Sequence, residues 1–202
     1  MSARIDHTTA TGTFSLDGQT FDVDNNVWVV GDDYECVVID APHDVDRILA
    51  VVGERRVKAI LCTHAHDDHV RVAPRLRQET QAPIFLHPED RPVWELTHPT
   101  ELWDVDLADG QVIEVAGTRL RAIHTPGHAP GAVCFHAEEL GCLFTGDTLF
   151  NGGPGATGRS FSDHGTIVAS IKEKLLALPD DTVVHTGHGE DTTIGAERAN
   201  VG

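Results

Sequence analysis

The sequence predicts an α+β protein built as a four-layer α/β/β/α sandwich, two mixed sheets with helices outside. Three observations lead there. Strand-like runs outnumber helical ones. Several of those runs are hairpin neighbours, which a simple alternating βαβ wheel would not contain. The chain also divides into two β-rich halves, each followed by helices.

In the first half, Thr13–Leu16 and Thr20–Val23 flank the turn Asp17-Gly18, a hairpin signal. Val27–Val30 and Cys36–Ile39 are β-rich runs around Gly31-Asp32-Asp33. Asp44–Val52 places Val45, Ile48, Leu49 and Val52 on one helical face. Val57–Cys62 is an apolar run broken only by Lys58, as a strand buried on both faces requires. Val70–Gln78 predicts a second helix and Pro83–Leu86 a short strand. In the second half, Val112–Val115, Arg119–Ile123, Ala132–Phe135 and Cys142–Phe144 read as strands. Thr166–Leu178 is an amphipathic helix stopped by Pro179, followed by a strand at Val183–His185 and a last helix at Thr193–Asn200.

The 202 residues, 40% of them hydrophobic, suffice for one packed domain spanning residues 1–202. The chain has 32 Asp+Glu against 15 Lys+Arg, a formal charge of −17. That balance argues against a nucleic-acid or anionic-membrane partner, because phosphates are bound by Lys and Arg. No stretch approaches the roughly 18 consecutive apolar residues of a membrane span. The N-terminus MSARIDHTTATGTFSLDG, with Met1 at its head, lacks the apolar run of a secretory signal. Cys36, Cys62, Cys134 and Cys142 form no C-x-x-C pair and each lies in an apolar run. They read as buried thiols in a reducing, cytoplasmic setting.

The strongest chemical signal is Thr63-His64-Ala65-His66-Asp67-Asp68-His69, which follows directly on the buried strand ending at Cys62. It packs imidazoles and carboxylates, the ligands of borderline divalent metals, into one loop at the C-terminal end of a strand. One loop cannot close a metal shell. Three further segments share a form in which an apolar strand meets a Gly turn and then His or Asp. They are Thr125-Pro126-Gly127-His128, Thr145-Gly146-Asp147-Thr148 and Thr186-Gly187-His188-Gly189. In each, glycine frees the backbone to turn tightly, so that the ligand points back over the strand ends.

In this order, H-x-H-x-D-H, Pro-Gly-His, Gly-Asp-Thr and Gly-His-Gly resemble the signature of the metallo-β-lactamase fold, from Val27 to Glu197. Gly146-Asp147-Thr148-Leu149-Phe150, Gly158-Arg159-Ser160-Phe161 and the run Gly187–Gly195 are similar to the glyoxalase II (hydroxyacylglutathione hydrolase) branch, which hydrolyses thioesters of small thiols. The resemblance implies two divalent metal ions per chain, zinc first, with iron or manganese also suiting the ligands. It implies His64, His66 and His128 on the first metal, Asp68, His69 and His188 on the second, and Asp147 bridging both. Asp40, at the end of Cys36–Ile39, would orient a ligand from behind, and Asp67 would face solvent or a supporting contact.

Two such ions share a water, lower its pKa towards neutrality and polarise a carbonyl. Asp68 would orient the resulting hydroxide while binding its metal. A thiolate leaves well enough to need no general acid, and the chain has no G-x-S-x-G nucleophile motif. Arg159 and Phe161 occupy the places where the branch contacts its thiol, and a guanidinium grips a carboxylate bidentately. The Gly-rich run Asn151–Arg159 tempts a phosphate-cradle reading, but the P-loop pattern is absent. The branch continues into a C-terminal helical domain, whereas only Arg198–Gly202 follow Glu197 here. The expected partner is therefore a small-molecule thioester of glutathione, mycothiol or a similar thiol, with the oligomeric state open. The mycothiol option rests on the excess of 12 Arg over 3 Lys, if that reflects a GC-rich genome. A mononuclear iron persulfide dioxygenase is the alternative. It shares His64, His128 and Asp147 but usually carries Gly-Arg-Thr-Asp where this chain has Gly158-Arg159-Ser160-Phe161. A lactonase is a further one. The other eight histidines read as bystanders, with His124 and His185 the two closest to the motifs.

Overall fold

The computed structural model describes residues 3–202; Met1, on which part of the reading of the N-terminus rests, lies outside them. One six-stranded sheet has the order β1-β2-β3-β4-β5-β6. Its strands are β1 (Arg4–Leu16), β2 (Gln19–Gly31), β3 (Glu35–Ile39), β4 (Arg56–Leu61), β5 (Ile84–Leu86) and β6 (Val105–Asp106). The second has the order β14-β13-β10-β9-β8-β7. It contains β7 (Val112–Val115), β8 (Thr118–His124), β9 (Val133–Ala137), β10 (Cys142–Gly146), β13 (Val183–Thr186) and β14 (Thr192–Thr193). Both are mixed: β3-β4-β5-β6 and β10-β13 pair parallel, the other neighbours antiparallel.

Strand periodicity builds the layers. In β2 and β3, Val27, Val29, Cys36 and Val38 face the helices α1 (Val45–Val52), α3 (Ala73–Thr80) and α4 (Arg91–Thr97). Their alternates Trp28, Val30, Val37 and Ile39 face the other sheet, meeting Ile113, Leu120, Phe135 and Phe144. On the far side of the second sheet, Cys134, Leu143 and Val184 pack against Ile167, Ile171 and Leu175. These three apolar interfaces separate four layers, as the sequence predicts. Truncating Phe135 or Phe144 to Ala in the middle interface should cost about 3–5 kcal/mol.

Four local readings change. The N-terminal hairpin strands are 13 residues each, because β1 starts at Arg4 and β2 runs unbroken to Gly31. The helix expected over Val70–Gln78 is two: α2 (Asp67–Val70) and α3, which restarts at Ala73 with Pro74 in its first turn. The helix beginning at His164, capped by Asp163, is α-helical through Ser170 (α5) and continues as a π turn over Ile171–Leu175. The last helix, α6, covers only Ile194–Glu197. Asn151–Pro154 belongs to a short hairpin of β11 (Leu149–Phe150) and β12 (Gly153–Pro154). Among the described residues no helix is long and apolar enough to cross a membrane. Trp28, Trp94, Trp103 and all four free cysteines are buried.

Candidate metal centre

The residues singled out by the motifs gather at one end of the sandwich, where strands stop. Asp40 follows β3, His64 to His69 follow β4, and His128 lies beyond β8. Asp147 follows β10 and His188 follows β13. The two sheets are stitched there by Val133 N–H donating to the Thr63 carbonyl (2.7 Å) and Asn26 N–H to the Gly187 carbonyl (2.8 Å).

The glycines of the three turns act in two ways. Gly127 and Gly146 hold φ of +136° and +49°, where a side chain is strained. Gly187 does not. There a Cβ would lie 2.4 Å from Asp147 Oδ1, so its role is to leave room for that carboxylate.

Two groups of ligand-type atoms result. His66 Nδ1 lies 3.0 Å from Nε2 of both His64 and His128. In the second group, His188 Nε2 is 3.3 Å from Asp68 Oδ2 and 3.3 Å from His69 Nε2. Asp147 spans them: Oδ1 is 3.3 Å from His69 Nε2, and Oδ2 is 3.5 Å from Nε2 of His128 and of His188.

The outward nitrogens fix which lone pairs point inward. Nδ1–H of His69 donates to Asp40 Oδ2 (2.8 Å), of His128 to the Ala156 carbonyl (2.8 Å), and of His188 to the Asp24 carbonyl (2.7 Å). Thr63 Oγ1 donates to Asp40 Oδ2 (2.8 Å) and so accepts from His64 Nδ1–H (3.1 Å). Each of these four rings therefore aims a bare Nε2 into the centre. Buried lone pairs that converge without hydrogens between them are costly unless a cation fills the gap. Asp147 Oδ1 is likewise buried with no hydrogen-bond partner. Five imidazoles and two carboxylates in this arrangement fit two divalent cations.

Electrostatics give the same picture. Burial pushes His64 well below its usual range and His66 down to about 3, so both stay neutral, lone-pair donors. In the metal-free chain, protons stand in for a cation in the second group. Burial disfavours charge on His188, but Asp147 and Asp68 lift it to about 10; Asp147, Asp68 and Asp40 raise His69 likewise. Burial would raise Asp68 and Asp147, yet His69 and His188 hold Asp68 down to about 2 and Asp147 well below the carboxylate range.

Asp40 accepts from Thr63 N–H (2.7 Å) as well as from His69 Nδ1–H. Asp67 reaches away to Ser15 N–H (3.1 Å) and the Arg71 guanidinium, tying α2 to β1. Arg159 and Phe161 lie on the loop beside the hairpin tip. The Arg159 guanidinium sits 4.4 Å from the centroid of Phe21 and 5.5 Å from that of Phe14, whose own ring is 5.0 Å from His66. Phe161 is exposed and carries φ +71°, a strained value for an aromatic residue. Ser160 fastens this loop to Asp17 at the tip through N–H (3.0 Å) and Oγ–H (2.6 Å).

The motifs do not reveal Asp90. It is fully buried after β5, and its carboxylate accepts the N–H of Ala65, between two candidate ligands, and the N–H of Gly131, beyond His128. Its spacing from the motifs carries no signal; only folding brings it beneath them. A further group, His87, Glu89 and His124, also gathers ligand-type atoms. Its two rings stack 3.9 Å apart at 12°, so their in-plane lone pairs run side by side, and His124 Nε2–H is committed to the Pro130 carbonyl (2.9 Å). His185 bonds Asp191 (2.8 Å) and stacks on Phe144, and no hydrogen bond links it to a candidate ligand.

Comparison with known proteins places the chain in a family. A family model described as the metallo-beta-lactamase superfamily matches residues 20–188. A hydroxyacylglutathione hydrolase, GloC, of Haemophilus influenzae is 34% identical over 182 residues, covering 83% of this chain and 86% of that one. The crystal structure of TTHA1623 in a di-iron-bound form superposes with a TM-score of 0.78 at 34% identity, covering 88% of this chain and 94% of that one. The BLEG-1 B3 metallo-beta-lactamase superposes at 0.79 with 29% identity, covering 93% and 95%.

Proposed function

Because the chain belongs to the metallo-beta-lactamase superfamily, a family of metal-dependent hydrolases, we propose that it is a dinuclear hydrolase cleaving thioesters of a small thiol. The observation that carries the reading is Asp147, one carboxylate within 3.5 Å of ring nitrogens from both groups. A mononuclear dioxygenase has no use for the second group. Bound at these residues, two cations would supply hydroxide near neutral pH and Lewis acidity for the thioester carbonyl.

The chain's own residues do the rest. His64, His66 and His128 would hold one cation, Asp68, His69 and His188 the other, with Asp147 shared. Asp68, carrying its negative charge across the neutral range, orients the nucleophile. No residue is needed to protonate the leaving group, since a thiol is half ionised near pH 8.5. The hairpin tip with Phe14 and Phe21 offers an apolar wall, and Arg159 a cation, to an acyl–thiol substrate with a carboxylate. GloC and the di-iron structure support the substrate class and the metal count. Zinc is the first candidate metal, then iron and manganese, and the buried free thiols suit a reducing cytoplasm.

Metal analysis followed by a panel of glutathione, mycothiol and CoA thioesters, with lactones and a persulfide as controls, tests the reading. Two metals per chain and thioester turnover are expected. One iron per chain with O₂ uptake on the persulfide would sink it.

A further inference from the structure

The second group contains a fourth side chain that no motif marks. Asn25, in β2, is fully buried, and its Nδ2 lies 3.1 Å from Asp68 Oδ2 and 3.4 Å from Nε2 of both His69 and His188. Those three neighbours are themselves 3.3–3.7 Å apart. The amide nitrogen lies against the face on which those three ligand-type atoms converge, and as an N–H donor it is not itself a ligand. The amide therefore borders the place a cation would take.

Only one of its neighbours can keep the amide hydrogen and a cation together. A carboxylate oxygen has a second lone pair, whereas the Nε2 of an Nδ1-protonated ring has one. The other end of the amide fixes its orientation. Asn25 Oδ1 accepts from His43 Nε2–H (2.8 Å), which leaves His43 Nδ1 as a buried acceptor with no partner. Turned over, the amide would set its oxygen against the Asp68 carboxylate and force a buried, unpaired hydrogen onto His43 Nδ1, the costlier arrangement. His43, a bystander by its sequence context, is seated against Gly12, where a Cβ would come within 2.3 Å of its ring.

We propose that Asn25, anchored by His43, is the positioning residue of the second cation site, holding Asp68 in its binding orientation and setting that site's affinity separately from the first. The inference rests on the two-cation reading.

Zinc titration of the metal-free chain by calorimetry, repeated with cobalt(II) and its visible absorption, should resolve two binding events. Asn25→Ala and His43→Leu should weaken the second about 10–100-fold, the usual loss when a ligand's supporting partner is removed, and leave the first unchanged. His43→Gln, which keeps an N–H to donate to Asn25, should recover most of the loss. Should Asn25→Ala not fold, the two His43 variants decide, since His43 hydrogen-bonds no candidate ligand. Equal weakening of both events, or an unchanged second event in folded variants, overturns the inference while leaving two cations in place. A single event in the native chain overturns the two-cation reading and this inference with it.

Discussion

The Asp40 carboxylate lies 2.8 Å from Nδ1 of His69, and both side chains are buried. The same carboxylate takes the N–H and Oγ–H of Thr63, so one acid orders both the ligand loop and a ring in it. Asp40→Asn leaves one acceptor oxygen for the hydrogens of His69 Nδ1, Thr63 N and Thr63 Oγ and sets an amide hydrogen against at least one of them. A 10–100-fold loss of metal affinity is expected by calorimetry. Affinity equal to the native chain's would show that His69 needs no such partner.

Asp68→Ala removes a ligand-type oxygen from the second group alone. The variant should keep a cation at His64, His66 and His128 but lose at least about 100-fold in kcat, the scale of removing one preorganised group from the reacting centre. Metal analysis with steady-state kinetics checks both halves, and native turnover would refute the dinuclear mechanism.

Asp90→Asn leaves one acceptor for the two N–H groups of Ala65 and Gly131 and sets an amide hydrogen against the other. A buried unsatisfied donor costs about 1–3 kcal/mol. For a chain of this length that is a fall in Tm of roughly 2–12 °C. A Tm within a degree of native would show that the tie carries no stability.

Metal-free stability should peak near pH 6.5. His188, raised to about 10, contributes stability that is complete below its unfolded value and is lost as pH climbs towards 10. His66, lowered to about 3, must take up a proton on unfolding, so stability falls as pH drops from 6.5 towards 3. Asp68, held near 2, adds a further loss as pH falls from 3.8 towards 2. Thermal melts across pH on EDTA-treated protein should show this peak, and a bound cation should flatten the alkaline side by displacing the proton from His188. A melt temperature that rises steadily from pH 6 to 10 would contradict it.

Arg159→Gln should raise KM for thioesters bearing a carboxylate about 10-fold or more, the loss of a charged hydrogen bond. Uncharged thioesters should be little affected. Equal effects on both would assign Arg159 to packing on Phe14 and Phe21 instead.

Much of this was legible in the string of residues. Period-2 apolar runs and their order predict two sheets with helices outside, because pleat alternation is a local property. The His-rich loop and the three Gly turns mark seven candidate ligands, because ligands cluster where a strand ends and the backbone must turn. Pro74, tolerated in a helix's first turn but not in its interior, could have signalled that α3 starts just before it.

Other features needed the folded chain. Asp40 meets His69 across 29 positions, Asp90 meets Gly131 across 41, and Asn25 meets Asp68 across 43. An Asn in a strand or an Asp after one is ordinary in isolation. It acquires a role only when sheet pairing and the stacking of the two sheets bring its polar atoms against a ligand. A ligand's identity is a matter of donor chemistry, which residue type and spacing carry. Its orientation is a matter of what lies behind it, and that is set by the register of strands distant in the chain.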